Sequence, residues 1–93
     1  MELDFEWDED KAKANLRKHK VGFETAKTVF ADPFLQTLPD DEHSNEEQRF
    51  INIGRSTSNK TLIVIHTERA GKIRIISCRK ATAAETEFYE EGI

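Results

Sequence analysis

The stretch that decides the fold is Leu62–Thr82, LIVIHTERAGKIRIISCRKAT. Its first four residues, LIVI, are β-branched or aliphatic, which is typical of a central strand. Ala70 and Gly71 form a turn signal, and a second strand is predicted to begin at Lys72 and to end near Cys78. The stretch therefore predicts a β-hairpin.

The same hairpin carries a cluster of cations. Between His66 and Lys80 the sequence has five Lys or Arg residues and one acid, Glu68, in a chain whose formal net charge is −4. In a chain that is acidic overall, a cluster of cations on one hairpin indicates a binding site for an anion. A surface of this size suits the phosphate backbone of a nucleic acid. The alternative is a solvated hairpin with ordinary surface charges.

Length and composition predict a single domain over residues 1–93, with 37% hydrophobic and 34% charged residues. No apolar run approaches the roughly 18 residues of a membrane span, and the acidic N-terminus does not resemble a secretory signal. We therefore expect a cytoplasmic protein without membrane contact. Cys78, the only cysteine, is expected to be a small buried side chain rather than a nucleophile.

The N-terminal third is predicted to be largely helical. Leu3, Phe5 and Trp7 alternate with acids, which predicts a short edge strand or an extended arm. Asp8 is expected to cap a first helix from about Glu9 to Lys20, which has acids at its start and cations at its end. A second helix is predicted from about Phe23 to Ala31.

The rest of the chain adds strands and a closing helix. Extended structure is predicted after Pro33 and again over Arg49–Arg55, and Thr82 with Glu85 fits a capping box that begins a C-terminal helix. The predicted class is α+β, with two N-terminal helices, an antiparallel sheet of about four strands and a C-terminal helix. The polar segment Asp40–Glu47 is interpreted as a solvated loop, so no metal or other cofactor is expected.

The residue types of the hairpin suit RNA cleavage. Attack by a ribose 2′-hydroxyl needs a proton acceptor, a proton donor and cations that stabilise the charge on phosphorus. His66, predicted at the end of its strand, suits proton transfer, although a structural histidine is an equal alternative. Arg74 and Arg79 suit phosphate binding, and they can act together only if the chain turns toward the helix at Arg79.

Several motifs, in the same order and spacing, resemble those of the BrnT-type toxins of bacterial toxin–antitoxin pairs. They are FEWD from Phe5, NLRKHKVGFETA from Asn15, VFADP from Val29, RFINIGRS from Arg49, VIHTER from Val64 and RIISCRKAT from Arg74. The resemblance covers nearly the whole chain. It implies a RelE-like fold and a metal-independent ribonuclease that arrests translation.

The residue types of the hairpin and the C-terminal helix, together with the resemblance, suggest site residues. The expected catalytic residues are His66, Arg74 and Arg79. The expected RNA-binding residues are Lys18, His19, Arg69, Lys72, Ser77, Lys80 and Tyr89.

The resemblance further implies a cognate BrnA-like antitoxin with a DNA-binding domain of the ribbon-helix-helix type. The pair is expected to assemble as a heterotetramer that contacts operator DNA through the antitoxin. We expect the antitoxin to cover the cationic hairpin, with the first helix as the alternative docking surface. The competing function is a non-catalytic module that binds protein or RNA through the same hairpin.

Overall fold

The computed structural model describes residues 2–93, which form three α-helices and a five-stranded mixed sheet with the strand order β1-β5-β4-β3-β2. The elements are β1 (Phe5–Glu6), α1 (Glu9–His19), α2 (Phe23–Ala26), β2 (Gln36–Pro39), β3 (Arg49–Arg55), β4 (Thr61–Arg69), β5 (Lys72–Lys80) and α3 (Ala83–Glu91). Two 3-10 turns lie at Lys27–Ala31 and Asp41–His43. The predicted α+β class is confirmed. No helix of residues 2–93 is long and apolar enough to cross a membrane.

Local capping signals define α1 as the sequence predicts. The Asp8 carboxylate accepts hydrogen bonds from the backbone N–H groups of Asp10 and Lys11, at 2.9 and 3.1 Å. The helix ends at Lys20, whose φ of 60° is left-handed. The predicted second helix is shorter than expected, because α2 tightens into a 3-10 turn after Ala26.

The predicted hairpin is present as β4 and β5, with Ala70 and Gly71 at positive φ in the turn. Both strands are longer than their apolar runs suggest. His66 pairs with Phe50 of β3 on one side and with Ile75 of β5 on the other. The prediction that His66 ends its strand is therefore wrong, because ladder pairing on both sides continues β4 beyond it.

The edge strand that the sequence predicts as one alternative for the N-terminal segment is present as β1, which makes a fifth strand where the predicted antiparallel sheet has about four. Phe5 pairs with Ile73 in a parallel register, and the Ile73 N–H donates to the Asp4 carbonyl at 2.8 Å. Phe5 also packs against Phe30 with ring centroids 5.4 Å apart. Aromatic packing thus holds the arm at the sheet edge, and the sheet is mixed.

The two faces of the sheet differ in their covering. One, here called the helix-covered face, packs against α1, α2 and the turn after α2. Its buried cluster comprises Val21, Phe23, Ala26, Val29, Leu62, Val64, Ile75 and Cys78. Cys78 is buried as predicted, and burial raises the pKa of its thiol to about 11, which keeps it protonated at neutral pH.

The other face, here called the open face, presents alternate residues of the same strands. Only one end of it is covered by α3, where Ile53, Ile63 and Tyr89 form a second small core. The predicted capping box begins α3: Thr82 Oγ1 accepts from the Glu85 N–H at 3.2 Å, and Glu85 Oε1 accepts from the Thr82 N–H at 2.8 Å. The rest of the open face forms a groove.

Candidate functional site

The groove on the open face has a volume of about 500 Å³. Its floor is apolar and is made by Ile51, Ile63, Ile65 and Ile76. Its polar rim consists of His19, Asp40, Glu42, His43, Arg49, Ser77, Arg79 and Glu85, with Cys78 also lining it. An apolar floor with a few convergent polar groups is the usual form of a binding site.

Strand alternation and two neighbouring segments bring these side chains together. On β3, Arg49 and Ile51 point to the open face, whereas Phe50 and Asn52 point to the helix-covered face. The last turn of α1 supplies His19, and the loop between β2 and β3 supplies His43. The groove therefore depends on tertiary contacts rather than on one sequence motif.

Arg79 is fixed by a two-pronged ion pair. Its Nη1 and Nη2 atoms donate to the two carboxylate oxygens of Glu85 at 2.7 and 2.8 Å. The hydrogen bonds from Arg79 lower the pKa of Glu85 to about 2, and the same pairing raises the pKa of Arg79. The chain does turn from β5 toward α3 after Arg79, so this guanidinium faces the groove in one defined orientation.

The other hairpin arginines are also paired with acids. Arg74 donates to Glu6 and Arg69 donates to Glu47, each at 2.9 Å. The expectation of a free cationic hairpin is thus corrected, because acids from other parts of the chain offset its arginines. The hairpin lysines, Lys72 and Lys80, are exposed.

Arg49 differs from the paired arginines. Within residues 2–93 no carboxylate lies within 4.0 Å of its guanidinium, and its buried Nε has no hydrogen-bond partner. An unsatisfied buried donor is costly, which marks Arg49 as a candidate functional residue. Arg49 also lines an adjoining hollow of about 550 Å³ together with Arg69. The sequence pattern assigns Arg49 to a strand and gives it no functional role. Because Arg49, Ile51 and Ile53 occupy every second position of that strand, the sequence indicates that all three share a face.

His43 forms a pair with a carboxylate at the rim of the groove. Its Nδ1 lies 3.1 and 3.0 Å from the two oxygens of Asp40, which is only 9% exposed. The imidazole itself is exposed. The sequence interpretation took both residues for part of a solvated loop, and their spacing of three residues was the signal that could have joined them.

His66 lies on the helix-covered face and is only 3% exposed. Its ring stacks on Phe50 at 5.0 Å and meets the edge of Phe30 at 5.3 Å. Its Nδ1 lies 2.6 Å from the Asn52 amide nitrogen, and burial lowers its pKa. The structure therefore does not bring His66 together with Arg79, and a catalytic role for His66 stays a prediction that its enclosure does not favour.

Of the expected RNA-binding residues, His19 and Ser77 line the groove with Arg79. Lys18 is exposed beside His19 on α1. Tyr89 is buried, and its hydroxyl donates to Asp32 at 2.6 Å. Burial raises the pKa of Tyr89 to about 12. Tyr89 therefore supports the packing of α3 and does not line the groove.

No three His, Cys, Asp or Glu side chains of residues 2–93 converge as metal ligands. The groove offers guanidinium and imidazole groups instead, which bind phosphate and transfer protons.

Comparison with known proteins identifies a family for this chain. The model of the family described as the ribonuclease toxin, BrnT, of type II toxin-antitoxin systems matches residues 7–85. The chain belongs to the BrnT family. Membership makes it a type II toxin of the ribonuclease class, with RNA as its substrate and an antitoxin as its partner.

A solved structure of a BrnT-family protein supports the fold. The crystal structure of the Brucella abortus ribonuclease toxin, BrnT, is similar to this chain with a TM-score of 0.67 and 21% sequence identity. The similarity covers 87% of this chain and 99% of the Brucella chain. At this identity it shows the fold alone. No curated protein matches the chain.

Proposed function

We propose that this BrnT-family chain is an endoribonuclease that binds RNA in the open-face groove and cleaves it without metal, by attack of a ribose 2′-hydroxyl on the adjacent phosphate. The observation that carries the proposal is the placement of Arg49 and Arg79 with two imidazoles, His19 and His43, around one groove. These groups supply charge stabilisation and proton transfer, which are the requirements of metal-free phosphoryl transfer.

The two groove arginines play different parts in the proposed complex. Arg49 has no carboxylate partner and is available to a phosphate at once. Arg79 is held by Glu85, and a phosphate binds a guanidinium with the same two-pronged geometry as a carboxylate. Glu85 therefore orients Arg79 until the RNA phosphate competes for it.

The remaining cations would extend the RNA path beyond the groove. Arg74 lies on the open face five residues before Arg79, a separation of roughly 16 Å along β5. It would contact a phosphate flanking the cleaved one rather than the same phosphate. Lys18, Arg69, Lys72 and Lys80 would contribute similar flanking contacts, each modest because solvent screens exposed charges.

In the cell, we propose that cleavage arrests translation in the cytoplasm until a cognate antitoxin binds. A BrnA-like antitoxin of the ribbon-helix-helix type would form a heterotetramer with the toxin and repress the shared operon through its DNA-binding domain. Family membership supports an antitoxin partner. Since the hairpin arginines are already paired, the antitoxin would silence the toxin by covering the groove around Arg49 rather than by neutralising the hairpin.

Incubation of the purified protein with RNA in EDTA tests the proposal. We expect cleavage products from the wild type and none above background from the double variant Arg49→Ala, Arg79→Ala. Growth arrest on expression, relieved by the neighbouring antitoxin gene, should follow the same pattern. RNA binding without cleavage products would instead indicate a non-catalytic RNA-binding module.

A further inference from the structure

We propose that His43, held by Asp40, is the general base of the cleavage reaction and that His19 in the same groove is the general acid. This inference rests on the proposed function and assigns the proton transfers that the proposed function leaves open. It rests on the placement of His43 and His19 at the groove, a placement that His66 does not share.

The contact with Asp40 prepares His43 to accept a proton. Both Asp40 carboxylate oxygens lie within 3.1 Å of Nδ1, so Nδ1–H donates to the carboxylate and the lone pair is left on Nε2. Nε2 lies on the other side of the ring from Asp40. The carboxylate thus fixes the tautomer and the orientation of the ring.

The loop that carries this pair is tied to the strand that carries Arg49. The Asp40 N–H donates to the Arg49 carbonyl at 2.8 Å, and the Ser44 hydroxyl donates to the Asp40 carbonyl at 2.6 Å. The Ser44 oxygen also accepts from the Arg49 N–H at 2.9 Å. The loop that carries the proposed base is thus tied to the backbone of Arg49, which favours catalysis by orientation.

His19 is the second imidazole of the groove, at the C-terminal end of α1. It reaches the groove from a different element than His43, so the two rings can serve the attacking and the leaving oxygen separately. A second imidazole at a separate position suits the general acid, which must donate a proton to the leaving oxygen.

In the proposed step, His43 Nε2 takes the proton of the 2′-hydroxyl, and the 2′ oxygen forms a bond to phosphorus. The bond from phosphorus to the 5′ oxygen breaks, and that oxygen takes a proton from the His19 imidazolium. The products are a 2′,3′-cyclic phosphate and a 5′-hydroxyl, and no external oxidant, reductant or metal is consumed. Arg49 and Arg79 stabilise the charge on the phosphate oxygens.

The test compares single variants of the whole chain under multiple-turnover conditions in EDTA, with a short RNA whose ends are labelled. We expect His43→Gln to lower kcat by about 100-fold or more, because a positioned base contributes on that scale. Asp40→Asn should lower kcat with little change in KM, as expected of a positioning residue. Asp41→Asn removes the same charge one residue away, outside the groove, and should behave as the wild type.

A substrate with sulfur in place of the 5′-bridging oxygen separates the two histidines. Thiolate is a good leaving group and needs no acid, so the defect of His19→Gln should largely disappear on this substrate. The defect of His43→Gln should persist, because attack by the 2′-hydroxyl still needs a base.

The outcomes distinguish this inference from the proposed function. If the wild type cleaves no RNA, the proposed function fails and the inference fails with it. If the wild type cleaves and folded His43→Gln cleaves at the same rate, only the inference is overturned. Products that end in a 3′-hydroxyl and a 5′-phosphate would also overturn it, since the proposed step cannot form them.

Discussion

Histidines lie at both the helix-covered face and the open face of the sheet, yet in opposite surroundings. On the helix-covered face, His66 is enclosed by Phe30 and Phe50. On the open face, His19 and His43 line a groove beside Arg49. Since the side chain is chemically the same in all three positions, accessibility and neighbouring groups decide which histidine can exchange protons with a substrate.

The arginines of the open face provide a similar contrast. Arg69, Arg74 and Arg79 are each paired with a carboxylate, whereas Arg49 has none within 4.0 Å in the described part of the chain. A paired arginine must exchange one anion for another when RNA binds. An unpaired one gains the full interaction, so we expect the groove around Arg49 to dominate phosphate binding.

The largest effect is expected at Arg49. Arg49→Ala should lower the rate of RNA cleavage by about 100- to 1,000-fold, the usual range for loss of one donor that stabilises transition-state charge. Cleavage kinetics in EDTA measure the change, and Arg17→Ala, on the exposed surface of α1, is the matched control. Normal cleavage by folded Arg49→Ala would mean that the groove is not the site.

A stability effect of comparable size is expected on the helix-covered face. Leu62 is 0% exposed, and Leu62→Ala should lower the free energy of unfolding by roughly 3 kcal/mol because it leaves a cavity in the core. Leu38→Ala, at a position 42% exposed, should cost below about 1 kcal/mol. Urea denaturation measures both. Equal losses would show that the two faces are not packed as differently as described.

A variant at His66 distinguishes a structural role of this histidine from a catalytic one. Because burial lowers its pKa from the ordinary value, protonation favours the unfolded state. The neutral form of His66 contributes to the free energy of unfolding above about pH 6.5, and this contribution is lost as the pH falls below that value. His66→Gln should remove this part of the pH dependence, measured by urea denaturation between about pH 7 and 5. A structural role leaves kcat nearly unchanged, whereas a catalytic role predicts a loss of about 100-fold.

The smallest effect is expected at the ion pair between Arg79 and Glu85. The pKa of Glu85 is lowered to about 2, so the pair contributes stability above the ordinary value near 4.5 that is lost as pH falls toward 2. Solvent reaches both side chains, so we expect on the order of 1 kcal/mol. Glu85→Gln should flatten the stability profile over this acid range, and an unaltered profile would argue against the pairing in solution.

The sequence predicted the features that depend on near neighbours. Asp8 caps α1, Ala70 and Gly71 turn the hairpin, and Thr82 with Glu85 begins α3, each through contacts within a few residues. The parallel pairing of Phe5 with Ile73 was not predicted, because it joins residues that are far apart in the sequence and has no local pattern.

Ion pairs between residues far apart in the sequence limited how well the site could be predicted. Arg74 meets Glu6 across 68 residues and Arg69 meets Glu47 across 22, so the sequence count of hairpin cations could not include their partners. Arg49 became the candidate only when its lack of a partner was visible. Asp40 and His43 are only three residues apart, so their pairing is a local feature, yet the sequence pattern of this segment predicts only a solvated loop.

The contrast between the two faces can be tested directly with the three histidines as probes. The imidazole proton and carbon signals of His19, His43 and His66 should be followed by NMR while a 2′-O-methyl RNA, which cannot be cleaved, is added. We predict that the signals of His19 and His43 shift with RNA concentration and that those of His66 stay in place. Shifts at His66 with unchanged signals from His19 and His43 would contradict the assignment of the open-face groove as the RNA site.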